Sequence, residues 1–352
     1  MTELHPIAPA PRALPAAPVI AIVGATGAVG VELLGSLARR NFPLSQLRLL
    51  ASKRSAGREM RFRGGTLIVE ELTENSFDGV DIALFSAGAT ISRRFAPIAA
   101  AAGARVVDNS SAFRMDPAVP LVVPEVNADT MQGDEAIIAN PNCVAAIAGV
   151  ALAPLHRAFP IRRLQMATYQ AASGAGAEAM QELRDGTAAE LRGEAFEPKV
   201  MPHPYAFNIF SHNADIDPQT GYNGEESKVI AELRRIFDLP QLPVGVTCIR
   251  VPILRAHGMA ISIEFDQVVD PQVARDLLSD APGLRLVDDW AGNHFPMPSE
   301  ATGQEDVLVG RIRTDLGDPS GRTLTLFVVG DQLLKGAAQN AVQIAESLLP
   351  AH

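Results

Sequence analysis

Two cysteines stand in this chain of 352 residues, and their settings differ. Cys143 lies in "ANPNCVAAIAG" (139–149), directly after Pro141 and Asn142 and at the head of an apolar, alanine-rich run. Asn142 is a suitable N-cap and Pro141 stiffens the approach, so the pattern predicts a helix whose first turn carries the thiol. Unpaired amides and the helix dipole there favour the thiolate and lower the thiol pKa, as a sulfur nucleophile requires. Cys248, inside "VTCIRVPI", reads instead as a small buried hydrophobe. Two distant cysteines give neither a disulfide framework nor a metal-ligand spacing. His203 and His212 are too far apart, and too interrupted by proline, to form a metal pair, so no metal site is expected. A reducing cytoplasm is the expected compartment.

A second chemistry-bearing stretch is "VIAIVGATGAVG" (19–30), where a β-branched run passes directly into Gly24, Gly27 and Gly30. A helical pattern, "VELLGSLARR", follows. Strand, tight glycine turn and helix start together form a cradle for a pyrophosphate, with Thr26, Ala28 and Val29 completing the loop. The spacing is G-x-x-G-x-x-G rather than the commoner G-x-G-x-x-G. At the end of the next strand, "LLASKRSAG" offers Ser52, Lys53, Arg54 and Ser55, with no acid before Glu59. An NAD site usually places an acid there for the ribose 2′-hydroxyl, whereas hydroxyls and cations suit a 2′-phosphate. NADP is the expected cofactor.

The elements that must position these groups fall into two sets. Apolar strands at 19–23, 47–52, 66–72, 81–88, 104–111 and 136–142 alternate with helical segments such as "ATISRRFAPIAAAAG", which predicts a parallel sheet covered on both faces. After about residue 160, "LQMATYQAA", "GVTCIRVPIL", "AISIEFD" and "TLTLFVVG" alternate more strongly and predict a mixed or antiparallel sheet. Loops rich in proline and glycine are expected over 193–224 and 291–306, and a final amphipathic helix over 330–349. The fold class is therefore α/β: a Rossmann-like parallel-sheet domain plus an α+β domain with a mixed or antiparallel sheet. The expected boundaries are a disordered tail over 1–17, a first domain over 18–141 completed by the C-terminal helix 333–352, and a second domain over 142–332.

The formal net charge of −10 argues against binding nucleic acid or an anionic membrane surface. The twelve-residue apolar run "VAAIAGVALAPL" is too short to span a bilayer.

Several motifs carry a resemblance over about residues 19–349. "GATGAVG", "SSAFRMD", "NPNC", "TYQAASGAG", "PHPYAFN", "GEESK", "RVPILRAH" and "GDQLLKGAAQNAVQIAE" occur in this order. The chain resembles the aspartate-β-semialdehyde dehydrogenase family, which converts aspartyl-4-phosphate, NADPH and a proton to aspartate semialdehyde, NADP and phosphate. That family serves lysine, threonine, methionine and diaminopimelate biosynthesis. The resemblance implies that Cys143 is the nucleophile, His257 the general acid/base and Gln170 the residue orienting the thioester. It implies phosphate-binding roles for Arg114 and Lys228, a carboxylate clamp in Arg250, an ammonium contact in Glu225 and a substrate contact in Asn142. Cofactor contacts are implied for Gly24, Thr26, Gly27, Ala28, Val29, Arg54, Ser55, Ser173, Gly174 and Gln332. The second domain would then be catalytic and would form a homodimer or homotetramer. Val144 and Ala145 stand where the family commonly has hydroxyl residues.

The chemistry agrees with these implied roles. A guanidinium fork suits a carboxylate, and paired cations suit a tetrahedral phosphate. A related reductase of N-acetylglutamyl-phosphate type is the nearest alternative, but an acylated substrate has no ammonium for Glu225. A non-catalytic NADP-binding paralogue would not need Cys143, Gln170, Arg250 and His257 together. His257, just past a strand end and before Gly258, is expected on a mobile loop. Arg250 and His257 are seven residues apart, so an unbroken strand would point them to opposite faces. Pro252 or the turn near Arg255 must re-aim one of them.

Overall fold

Val19–Val23 (β1), Gln46–Ala51 (β2), Glu59–Phe62 (β3), Gly65–Glu71 (β4), Ile82–Phe85 (β5), Arg105–Asp108 (β6) and Ile137–Ala139 (β7) form one sheet in the order β3-β4-β2-β1-β5-β6-β7. The structure, a computed structural model, describes residues 13–350. Most of the tail expected over 1–17 lies outside the described residues. Every pair in this sheet is parallel except the edge pair β3/β4. Successive side chains of β1 serve opposite faces, as the strand period of two demands. Ile20 and Ile22 pack with Leu33, Leu34 and Leu37 of the helix Ala28–Arg39, and with Ala341, Val342 and Ile344 of the helix Gln339–Ser347. Ala21 and Val23 pack on the other side with Phe95, Ala96 and Ala99 of the helix Ala89–Ala101. Each large aliphatic side chain buried this way contributes roughly 1.5–3 kcal/mol.

The chain divides into two compact units. One ends at Pro141 and is completed by the segment from Ala337, and the other is Asn142–Gly336. The second unit is built on Ile161–Gln170 (β8), Phe210–Ser211 (β9), Val244–Arg250 (β10), His257–Phe265 (β11), Leu284–Leu286 (β12), Val307–Thr314 (β13) and Thr323–Gly330 (β14). Their order is β12-β13-β14-β11-β8-β10-β9. β8 and β10 are parallel, and β11 is antiparallel to both β8 and β14, so the sheet is mixed. The buried face carries Leu164, Met166, Val246, Cys248, Met259, Ile261, Leu326 and Val328. The apolar helix Cys143–Ala158 packs against β8, β13 and β14 of this sheet, and the helix Gly224–Ile236 against β10. The opposite face presents Gln165, Thr247 and Tyr169, all exposed, among the half-buried Ala167, Ala260, Ser262 and Thr325.

The structure departs from the sequence expectations in several places, among them the unexpected strands β3 and β12. Strand β13 was not apparent in the sequence, because Gly310 and Arg311 interrupt its alternation, and its register with β14 slips at that point. The expected loops over 193–224 and 291–306 contain β9 and the short helix Pro298–Ala301, respectively. The last segment is helical only from Leu334, as a π-helical turn Leu334–Ala338 followed by the α-helix Gln339–Ser347. Asp331 and Gln332 stay outside that helix, their side chains bonded within the second unit: Asp331 accepts from Arg255 Nε (2.7 Å) and Gly303 N (2.6 Å), and Gln332 Oε1 from Ala256 N (2.9 Å). No described helix is long and apolar enough to cross a membrane.

Candidate active site

The sheet of the second unit brings three of the singled-out side chains to one end. β8 ends at Gln170, its parallel neighbour β10 ends at Arg250, and the two residues are register partners. β11 runs the other way and begins at His257, beside the end of β8. The chain reverses between Arg250 and His257 through six residues of irregular backbone, so the two never share an unbroken strand. The last of those residues, Ala256, holds a left-handed φ of 72° and donates its amide to Gln332 Oε1 (2.9 Å). That turn re-aims His257.

His257 does not lie on a mobile loop, contrary to expectation. It is the first residue of β11 and is 0% exposed. Its Nδ1 accepts a hydrogen bond from Ala171 N (3.0 Å). An amide can only donate, so the neutral ring carries its proton on Nε2. Nε2 is buried without a hydrogen-bond partner. It faces the backbone of Gly174, where a Cβ would come within 3.0 Å of Nε2 and 3.1 Å of Arg250 Nη1. The lack of a side chain at Gly174 leaves that space open. Burial, and then the charge of Arg250, pull the imidazole pKa down to about 3.

The predicted helix start at Cys143 is present. Asn142 caps the helix Cys143–Ala158, its Oδ1 accepting from Val144 N (2.9 Å) and Ala145 N (3.4 Å). The cap is closed by backbone amides, so Val144 and Ala145 serve it without hydroxyls. Asn142 Nδ2 donates to Glu225 Oε1 (2.9 Å), which also accepts from Gln170 Nε2 (3.2 Å). Burial alone would raise the Glu225 pKa. The electrostatic interaction with His212, then the bond from Asn142, the Lys228 ammonium and the bond from Gln170, outweigh it and hold the carboxylate below its usual range. Cys143 is half-buried, and Gly336 passes so close that a Cβ there would lie 2.7 Å from the cysteine Cβ.

Arg250 is 3% exposed and engages all three nitrogens. Nη1 donates to Ala171 O (3.1 Å), Nε to Asn213 Oδ1 (3.1 Å), and Nη2 meets His212 Nε2 at 2.8 Å. His212 is pulled down to about 4 by burial and then by Arg250, and its Nδ1 accepts from Ala214 N (3.2 Å). Lys228 is exposed on the first turns of the helix Gly224–Ile236. Ser173 Oγ is bonded by Gln332 Nε2, which joins two of the singled-out residues. His212 was weighed in the sequence only as a metal ligand, and Asn213, Ala171 and Gly336 were not singled out. All four act through the folded arrangement; Ala171, within "TYQAASGAG", and Gly336, within "GDQLLKGAAQNAVQIAE", lie in quoted motifs.

The remaining singled-out residues belong to the first unit. Arg114 is buried, with Nε donating to Asn140 O (2.9 Å) and Nη2 to Asn109 O (2.7 Å). Gly24 turns the chain out of β1 with φ +88°, and a Cβ there would strike Ser86. Gly27 caps the helix Ala28–Arg39, which has no side-chain cap and no acid in its first turn. A Cβ on Gly27 would meet only Gly24 O at 3.4 Å, so the glycine leaves open space at the helix start. This loop follows β1, between β2 and β5, where the strand order reverses and ligands bind in such sheets. These features fit a dinucleotide pyrophosphate. Arg54 is exposed on the turn after β2, and Ser55, beneath it, lies 3.4 Å from Thr26 Oγ1. Among the described residues, no three His, Cys, Asp or Glu side chains are grouped to hold a metal ion.

Comparison with known proteins identifies the family. The family model "Semialdehyde dehydrogenase, NAD binding domain" matches residues 19–133, and "Semialdehyde dehydrogenase, dimerisation domain" matches residues 152–335. The chain is 51% identical over 330 residues to aspartate-semialdehyde dehydrogenase of Synechocystis sp., covering 94% of this chain and 97% of that protein. It is 47% identical over 339 residues to the Bacillus subtilis enzyme of the same name, covering 94% and 96%. The crystal structure of aspartate semialdehyde dehydrogenase II of Vibrio cholerae complexed with ASA superposes with a TM-score of 0.90 at 42% identity, covering 94% of this chain and 98% of that one. With both family models matched and such identity along nearly the whole chain, this protein belongs to the aspartate-semialdehyde dehydrogenase family of oxidoreductases.

Proposed function

We propose that the chain reduces L-aspartyl-4-phosphate to L-aspartate 4-semialdehyde with NADPH and releases phosphate, by way of a thioester on Cys143. The observation that carries this reading is the capped helix start at Cys143, joined through Asn142 and Glu225 to Gln170. The thiolate, favoured by the first-turn amides, attacks the acyl carbon; the C–S bond forms, the C–O bond to phosphorus breaks and phosphate departs. Gln170 holds the acyl group in place. Gly24, Thr26, Gly27, Ala28, Val29, Arg54 and Ser55, with Ser173, Gly174 and Gln332, would hold the dinucleotide, which when bound would supply the hydride for the thioester carbon. His257 Nε2–H then hydrogen-bonds to the resulting alkoxide and stabilises its charge, and the alkoxide collapses to the aldehyde as the C–S bond breaks and the thiolate returns. The net proton of the reaction ends on the released phosphate.

Arg250 clamps the α-carboxylate, the ionised Glu225 meets the α-ammonium, and Arg114 and Lys228 take the phosphate. Asn142 supports the site through the cap and its bond to Glu225, beside its substrate contact. The Ser52–Ser55 turn, with two hydroxyls and two cations, supports NADP over NAD. On this reading the enzyme serves lysine, threonine, methionine and diaminopimelate biosynthesis in the cytoplasm. The exposed sheet face around Tyr169, Thr247 and Ala260 lies within the region that matches a dimerisation domain, and it is the surface we assign to a second copy of the chain. The direct test is phosphate-dependent reduction of NADP with aspartate semialdehyde. Turnover that needs phosphate supports the proposal, and turnover without phosphate, or none at all, overturns it.

A further inference from the structure

We infer that Glu232 is a positioning residue for the nucleophile, holding the Cys143 turn through the backbone of Asn142. Glu232 is 1% exposed, and its Oε2 accepts the Asn142 amide at 2.5 Å. That amide lies just outside the helix, so no intrahelical carbonyl or cap side chain serves it. Glu225 and Glu232 are seven residues apart on the helix Gly224–Ile236, two turns along one face. Both grip the same residue: Glu225 takes the Asn142 side chain and Glu232 its main chain.

The supporting helix is itself anchored. Asn223 and Glu226 form a capping box at its start, and Glu226 Oε1 accepts the amide of Cys248 on β10 (2.9 Å). Arg250 lies two residues further along that strand. The helix is therefore a strut between the strand that carries the guanidinium and the turn that carries the thiol. A carboxylate is expensive to bury, and a simple packing position in this turn would be filled more cheaply by an apolar side chain or a water. Its burial against the amide preceding the cysteine fixes the capped turn. If the grip is lost, the Asn142 cap loosens, the first-turn amides no longer hold the thiolate, and sulfur loses its line of attack.

This inference rests on Cys143 being the nucleophile, which Cys143→Ala tests separately by abolishing turnover. The experiment uses full-length Glu232→Ala, Glu232→Asp and Glu232→Gln in a Cys248→Ala background. The measurements are kcat, KM for NADP, and the rate of Cys143 alkylation by iodoacetamide across pH. Glutamine keeps the reach and an acceptor oxygen, whereas aspartate keeps the charge but is one methylene too short. Expected are losses of roughly tenfold to a hundredfold in kcat for Ala and Asp, from displacement of the reacting atom. Their alkylation should be slower with a midpoint shifted to higher pH, and KM for NADP unchanged. Gln should stay within about threefold of the parent on every measure. If Ala does not fold, the Asp and Gln pair decides. Alkylation and kcat of Ala or Asp within about twofold of the parent would overturn the inference, as would Gln falling as far as Asp.

Discussion

The amide of Ala171 donates to Nδ1 of His257 at 3.0 Å, and this bond leaves the imidazole proton on Nε2, the nitrogen that faces Gly174. It also makes the folded protein sensitive to acid. His257 and His212 are pulled down to about 3 and about 4, chiefly by burial, whereas an unfolded histidine titrates near 6.5. Above about pH 6.5 both states are neutral and neither histidine affects stability. Below it the unfolded chain binds protons that the native state does not, so stability falls with falling pH by up to about 1.4 kcal/mol per pH unit for each histidine. Urea titrations between pH 7 and 4.5 should show this slope, and His257→Asn should flatten it by one proton. An unchanged slope in the variant would remove His257 from this role. The same variant should lose roughly a hundredfold or more in kcat with the KM for NADP retained.

The two thiols should differ sharply in reactivity. Burial pushes the Cys248 thiol up to about 12, while Cys143 is half-buried at a capped helix start. Iodoacetamide should label Cys143 first, with saturating substrate protecting it, as read by peptide mass spectrometry. Cys143→Ala should abolish turnover while retaining NADP binding, and Cys143→Ser should be nearly as inactive, because an alkoxide forms far less readily than a thiolate. Preferential labelling of Cys248 would refute the assignment.

Arg54 is exposed on the turn after β2, where a ribose 2′-phosphate would lie on the proposed reading. Arg54→Ala should weaken NADP by ~1.5–3 kcal/mol, or roughly ten- to a hundredfold in Kd, with little effect on NAD. Fluorescence titration with both dinucleotides makes the comparison. Equal weakening of the two would mean that Arg54 does not read the 2′-phosphate.

Ala260 is half-buried near the middle of the open sheet face, between β8 and β14. A second copy packed there leaves no room for a long charged side chain. Ala260→Arg should therefore shift the assembly to monomer in light scattering at micromolar concentration, with the far-ultraviolet circular dichroism unchanged. An unaltered assembly would place the interface elsewhere.

Local pattern alone revealed a good part of this protein. The glycine turn after β1 and the capped start at Cys143 depend on residues within one turn of each other, so they could be read from the sequence. The parallel sheet was legible because β1 and β5 are buried almost throughout and wholly apolar, and β6 buries Val106 and Val107 between its charged ends. Other features were out of reach. Nothing adjacent to His257 announces its burial; that follows from β11 entering between β8 and β14. Likewise, the spacing of Arg250 and His257 misleads as long as one strand is assumed, because only the sheet order shows that the chain reverses between them. Glu232, ninety residues from Asn142, looks like a solvated acid on a charged helix until packing brings it to that amide. Capping and turn chemistry act over a few bonds and are written locally. Tautomer, burial and the grip on the nucleophile depend on pairings between distant segments, and only the tertiary structure decides those.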